Sequence, residues 1–174
     1  LKRRAFLVAA PAVLLGGCVA LGTMPVAELG PAVDSFSVSG RLALRQGERR
    51  DHLQFDWQHS PQSDAVLLLS PLGQGLAEIV RDAGGARMTQ PNQPPIEAAD
   101  VETLARQIFG TALPLQELGD WLRGARGSAG DVAGWRIVIT ETALYHQRRL
   151  PRRLEASRDD VALTLIVDDW GSGE

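Results

Sequence analysis

Residues 36–44 read Phe36-Ser37-Val38-Ser39-Gly40-Arg41-Leu42-Ala43-Leu44. Phe36, Val38, Gly40, Leu42 and Leu44 take every second position, with Ser37, Ser39 and Arg41 between them. A period of two puts the first set on one face of an extended strand and the second set on the other. The next patterned stretch keeps that period. Leu53, Phe55 and Trp57 alternate with His52, Gln54, Asp56 and Gln58, and a polar turn around Gly47 separates the two runs. Two alternating runs joined by a short polar turn predict a hairpin.

The same punctuation continues outward. Ser60-Pro61 breaks the second run, and Ala65 to Leu69 is apolar on both faces. Ser70-Pro71-Leu72-Gly73 reads as a turn, Leu76 to Arg81 as a strand, and Gly84-Gly85 as a turn into Ala86 to Thr89. Short strands with compact turns predict an antiparallel meander. Polar, proline-rich Gln90 to Pro95 ends it. Asp100 then reads as a helix N-cap before Val101, Leu104, Ala105, Ile108 and Phe109, with Gly110 as the stop. Pro114 suits the first turn of a second helix, whose stripe is Leu115, Leu118, Trp121 and Leu122, closed by Gly124. The two helices are expected to cover the open side of a curved sheet.

Ala125 to Gly134 reads as a glycine-containing loop, and Trp135, Ile137 and Ile139 restart the alternation. Residues 141–149 show neither period clearly. Pro151 is expected to precede a strand from Arg153 to Ala156, and Arg158-Asp159-Asp160 to turn it back. In the last strand Val161, Leu163, Leu165 and Val167 face one way, and Ala162, Thr164 and Ile166 the other. That strand is expected to be covered on both sides or to line a cavity.

The N-terminal end has a different grammar. Lys2, Arg3 and Arg4 precede a short apolar run from Ala5 to Leu15, then Gly16, Gly17 and the single cysteine, Cys18. That order is that of a secretory signal peptide, and the cleavage site resembles a bacterial lipobox. Residues 1–17 are therefore expected to be a signal peptide and 18–35 a lipid-anchored tether, with 36–174 as the folded domain. Cys18 is the expected lipidation site, with a diacylglycerol on its sulfur and an acyl chain on its amine. Two such signals give stable membrane anchoring. The alternative, a buried N-terminal helix with a free thiol, has the run ending at a lone cysteine without a cap.

Composition excludes several classes. The chain holds 18 basic and 21 acidic residues; three of the basic ones precede Cys18, leaving 15 against 21. A net acidic domain is a poor partner for nucleic acid. Past the signal, no apolar stretch is long enough to span a bilayer as a helix. His52, His59 and His146 form no short-range metal motif, and no nucleophile elbow, P-loop or dinucleotide fingerprint occurs. Adjacent Asp168 and Asp169 point to opposite faces of a strand, so they do not converge as an acid/base pair. The chain is thus expected to be neither an enzyme nor a metal or cofactor binder. Trp57, Trp121, Trp135 and Trp170 either fill a core or border a large apolar cavity.

Taken in order, Phe36 to Leu44, Phe55-Asp56-Trp57, Ser70-Pro71-Leu72-Gly73, Leu118 to Gly124, Trp135-Arg136-Ile137-Val138, Leu150-Pro151-Arg152-Arg153-Leu154 and Asp168-Asp169-Trp170 resemble the LolA/LolB-like lipoprotein-localisation family. Cys18 favours its outer-membrane receptor branch, LolB, because the carrier branch, LolA, is soluble and lacks a lipobox cysteine. The resemblance implies a mainly β fold with α, an incomplete antiparallel β-barrel enclosing an apolar cavity and covered by helices. It implies an anchored, monomeric receptor on the periplasmic face of the outer membrane. Such a receptor takes acylated lipoproteins from the carrier LolA and inserts them among outer-membrane phospholipids. Another lipid-anchored envelope protein, binding or structural, with a filled or small-ligand interior, is the alternative.

Particular residues follow from the patterning and the resemblance together. Leu42, Phe55, Trp57, Trp121, Trp135 and Leu165 are expected to border the acyl-chain cavity. Leu72, held by Pro71 and Gly73, matches a protruding apolar residue that in the family enters the membrane; its alternative is a side chain folded back over the sheet end. Arg41, Arg45, Arg49 and Arg50 form a basic cluster, read either as a carrier-docking site or as a solvated edge.

Overall fold

A computed structural model describes residues 28–110 and 112–171. The expected signal peptide, Cys18 and the first part of the tether lie outside the described residues. The described chain is mainly β, with one antiparallel sheet and two helices.

The opening hairpin is where the alternation placed it. Strand β1 (Phe36–Gln46) pairs with β2 (Arg49–His59) through a two-residue turn in which Gly47 has φ 57°. Strand β3 (Asp64–Leu69), β4 (Gly75–Asp82) and β5 (Gly85–Thr89) continue the meander. A short β6 (Ile96–Ala98) then adds to β5. The proline-rich stretch therefore does not end the meander. Three residues are too few to show a period, so β6 is set by its pairing alone.

Helix α1 (Val101–Phe109) starts at Asp100, whose carboxylate accepts the Thr103 amide at 2.7 Å, and stops at Gly110 with φ 72°. Both caps satisfy groups that a helix end leaves unpaired. Helix α2 (Leu115–Leu122) begins after Pro114, which stands at the N-cap rather than inside the first turn and supplies no side-chain hydrogen bond.

The loop expected over 125–134 contains an edge strand, β7 (Ala129–Val132). Its Gly130 has no side chain where the Trp121 ring packs; a Cβ would come within 3.0 Å of that ring. A glycine in a strand often marks such close approach, and here it reads in sequence as a loop. Strand β8 (Trp135–Tyr145) then runs through the segment that had no clear period and turns at His146 and Gln147 into β9 (Arg148–Arg158). Both turn residues have positive φ, 44° and 66°. Two-residue hairpins need this geometry, and Asn-Gly usually signals it. His-Gln carries no such signal.

Pro151 lies inside β9, not before it. It faces Thr142 where the β8–β9 register shifts, and β9 pairs with the last strand, β10 (Val161–Trp170), only from Arg153 onward. The proline thus sits at an irregularity with one side unpaired, where a missing amide costs no ladder bond. In β10 the Val161, Leu163, Leu165 and Val167 face is buried, while Ala162, Thr164 and Ile166 are half-exposed. The strand is covered on one side only.

The sheet order is β6-β5-β4-β3-β2-β1-β10-β9-β8-β7. It does not close into a barrel; β6 and β7 are its edges. At its centre β1 pairs with β10 through a bulge between Ser39 and Gly40. A Cβ on Gly40 would overlap the Ile166 carbonyl oxygen and lie 3.1 Å from the Phe55 ring. The core gathers on one face, where Trp135, Ile137, Ile139, Leu154, Leu118 and Leu122 are almost wholly buried.

Candidate functional site

The buried face meets the helices around a small apolar space. Leu42 of β1, Phe55 and Trp57 of β2, Val66 and Leu68 of β3, Ile79 of β4 and Leu163 and Leu165 of β10 line its sheet side. Leu113, Leu115 and Leu118 line its helical side. Its volume is about 50 Å³ and no polar atom faces it. By the same measure one water needs roughly 10–15 Å³, so the space has room for a few waters and not for an acyl chain. Four expected cavity residues, Leu42, Phe55, Trp57 and Leu165, border it. Trp121 and Trp135 are buried elsewhere: Trp121 against Gly130, and Trp135 beneath the Arg158 guanidinium at 4.9 Å. Val66, Leu68, Ile79, Leu113, Leu163 and the α2 leucines complete the lining; sequence patterning does not mark them as neighbours of one space.

The helices are held against this space by imperfect polar contacts. The Trp121 indole nitrogen and the Glu117 Oε2 are buried without a hydrogen-bond partner. Burial pushes the Glu102 carboxyl on α1 above its ordinary range, and negative charge on Glu117 and Asp100 adds to the rise. An unpaired buried polar group costs about 1–3 kcal/mol. The packing of α2 on the sheet leaves two polar atoms unpaired.

One end of the sheet is fixed more firmly. Asp64 is a buried carboxylate at the start of β3. It accepts from Trp57 Nε1 at 2.9 Å, His59 Nδ1 at 2.6 Å and Arg81 Nε at 2.6 Å. Burial alone raises its pKa; the bonds from His59, Trp57 and Arg81, with the charge of His59, outweigh that and hold it below the ordinary carboxylate range. The His59 ring stacks on Phe36 at 4.8 Å. This hub orients Trp57 toward the apolar space. An acid opening an otherwise apolar strand, opposite His59, is its only trace in the sequence.

Leu72 is 90% exposed. It stands on a loop that is tied rather than slack. The Ser70 hydroxyl accepts the Leu72 and Gln74 amides at 3.3 and 3.2 Å, the Ser70 amide donates to the Gln74 carbonyl, and Gly73 donates back to Ser70. Gln54 Nε2 donates to the Pro71 carbonyl at 3.1 Å. Gly73 has φ 81°, which a residue with a Cβ adopts only under strain. The side chain does not fold back over the sheet end. It is displayed to solvent by a preorganised turn.

The four arginines do not form one patch. Arg45 and Arg50 are paired across β1–β2 and share a face with Arg41, whereas Arg49 pairs with Gln46 on the opposite face. Arg41 binds Asp168 with two bonds of 2.7 and 2.8 Å, and Arg49 binds Asp51 at 2.8 Å. Arg45 and Arg50 keep no ion pair among the described residues. Asp168 thus serves as a partner for Arg41, while no group of three or more His, Cys, Asp or Glu among the described residues is placed to hold a metal. No described helix is long and apolar enough to cross a membrane.

The described chain thus combines an open antiparallel sheet, an all-apolar space beneath α2 and a displayed leucine. Residues 34–170 match the family described as Outer membrane lipoprotein LolB. The chain belongs to the LolB family. The outer-membrane lipoprotein LolB of Thiobacillus denitrificans is 36% identical over 98% of each chain. The Nitrosomonas europaea LolB is 35% identical over 93% of this chain and 85% of its own, and the Chromobacterium violaceum LolB 35% over 91% and 94%. The LolB match covers every described strand and both helices, including the Leu72 loop and the lining of the apolar space.

Proposed function

We propose that this protein is an outer-membrane lipoprotein receptor, anchored through Cys18 on the periplasmic face. It accepts acylated lipoproteins from the carrier LolA and inserts them into the membrane. The observation that carries the reading is Leu72, 90% exposed on a loop tied through Ser70 and Gln54. Solvent exposure of a leucine on a rigid display is unfavourable unless another apolar phase takes it up, and uptake is worth roughly 1.5–3 kcal/mol. That is too little to anchor a domain and enough to bias one loop toward a bilayer.

The work is transfer, without bond making or breaking. Each acyl methylene exposed to water costs about 0.8 kcal/mol, so a path lined by Leu42, Phe55, Trp57 and Leu165 lowers the barrier. The helices must move to admit cargo, since the space is about 50 Å³ in this closed form. The same small volume favours a second reading, a lipid-anchored structural protein whose interior is simply filled. Two assays on one Leu72→Glu protein separate them: transfer from carrier to receptor, and transfer from receptor to liposome. The receptor reading expects the first retained and the second lost. A wild-type protein that accepts no acylated cargo, or a Leu72→Glu protein with normal liposome transfer, overturns it.

A further inference from the structure

The tip of the β8–β9 hairpin carries groups that neither the core nor the Leu72 loop uses. Leu144 is 65% exposed there. Tyr145 beside it is half-buried, with its ring 6.1 Å from Trp170. Arg148, Arg149 and Arg152 are exposed, and none makes an ion pair among the described residues. Asp34 lines the cleft beside the tip, Asp168 and Asp169 act on Tyr145, and Glu28 stands two residues before Gly30; Asp168 is already bound to Arg41. An open cleft of about 690 Å³ lies alongside, lined among others by Phe36, Tyr145, His146, Arg148 and Trp170.

The chain returning toward Cys18 leaves from this tip. Gly30 donates its amide to the Arg149 carbonyl at 2.9 Å. Cys18 stands twelve positions earlier, a stretch that reaches at most roughly 40 Å. The Leu72 loop is at the other end of the strands. Antiparallel pairing through β3, β2, β1, β10, β9 and β8 places the β3–β4 and β8–β9 connections at opposite ends of the sheet.

We propose that the β8–β9 tip is a second membrane-contact site, which docks on an anionic phospholipid surface. Leu144 enters the interface, Tyr145, backed by the buried Trp170, sits at headgroup level, and Arg148, Arg149 and Arg152 meet lipid phosphates. A membrane is favoured over a protein partner because the tether delivers this pole to the bilayer. A domain standing on this pole holds Leu72 away from the lipid, so delivery requires the domain to turn over. A strand of eleven residues such as β1 is roughly 35 Å long, which the tether can span. The orientation rests on the reading of Cys18 as the anchor; the chemistry of the tip does not.

The test uses the chain from Val19 onward, which keeps every described element and removes the anchor. Co-sedimentation with phosphatidylcholine–phosphatidylglycerol vesicles is compared with pure phosphatidylcholine vesicles. Binding is expected only to the former and to weaken at high salt. Leu144→Glu or the pair Arg148→Glu/Arg149→Glu should weaken it roughly tenfold or more, and the requirement for anionic lipid and the sensitivity to salt should persist in Leu72→Glu. A fluorophore on Leu144→Cys, then the sole thiol, should be quenched by brominated lipid. Unchanged binding in the tip variants, loss with Leu72→Glu alone, or a tip defect confined to carrier binding overturns the proposal. Intact mass of the full chain extracted from membrane tests Cys18 separately: missing acyl mass refutes the anchor and leaves the vesicle result standing.

Discussion

At Leu72 the side chain and its support have separable roles. Leu72→Glu should leave thermal stability unchanged, because a side chain 90% exposed contributes no packing. Ser70→Ala should lose delivery partially, because the hydroxyl that accepts the Leu72 and Gln74 amides is gone and the turn loosens. Receptor-to-liposome transfer measures both. Asp64 is the converse case, a residue whose value lies in its partners. Asp64→Ala leaves the Trp57 and Arg81 donors without their acceptor and should cost about 3–5 kcal/mol in urea unfolding. Its folded pKa is depressed, so its contribution is complete above the unfolded carboxylate pKa and is lost as pH falls through the lower folded value. Asp64→Ala should accordingly flatten the acid limb of stability against pH. Gly40→Ala would press a methyl group onto the Ile166 carbonyl at the bulge and should destabilise by about 1–3 kcal/mol.

The proposed transfer requires the two helices to move. Their apolar stripes bury Val101, Leu104, Leu118 and Leu122, yet Glu117 and Trp121 leave polar atoms unpaired beneath them. Glu102 has a raised folded pKa, so its effect runs opposite to that of Asp64. The closed form is relieved of the penalty when Glu102 is protonated and loses stability as pH rises through that raised value. Glu102→Gln should therefore raise the thermal midpoint at neutral pH and leave it unchanged below the carboxylate range. A midpoint unaffected at neutral pH would remove the charge argument for easy opening. Helix α2 depends further on Trp121 packed on Gly130 of the edge strand. That contact ties the helix to the edge of the sheet.

The proposed transfer keeps the sheet fixed and moves its helical cover. The central strands share long ladders, and the β1–β2 register runs unbroken from Phe36–His59 to Gln46–Arg49. Helix α1 lies on the outlying strands β5 and β6, while α2 lies on β9 and, at Gly119, against Trp57 of β2. Addition of an acylated peptide should then lower amide-exchange protection in α1 and α2 while β1, β2 and β10 keep theirs. Amide exchange followed by mass spectrometry reads this directly, and uniform protection of both helices would mean the space does not open. Net acidity of the chain, 18 basic against 21 acidic residues, makes the arginine-bearing β8–β9 tip a local exception.

The sequence by itself determined the strands that alternate cleanly, the caps of α1 and the position of the Leu72 turn. Those features are local: a period of two, an aspartate three residues before its amide, a proline and glycine around one leucine. It also carried the family likeness, since the motifs keep their order along the chain. Tertiary structure decided the rest. Edge strands β6 and β7 exist only through their neighbours, because three or four residues hold no period of their own. Pro151 is a strand residue because its unpaired side falls where β10 has not yet joined β9. The division of the tryptophans was likewise invisible, since periodicity assigns a face but not a neighbour. Trp57 borders the apolar space while Trp121 and Trp135 pack against Gly130 and Arg158. The volume of that space is set by how closely α2 approaches β2, a distance between segments far apart in sequence that no local pattern encodes.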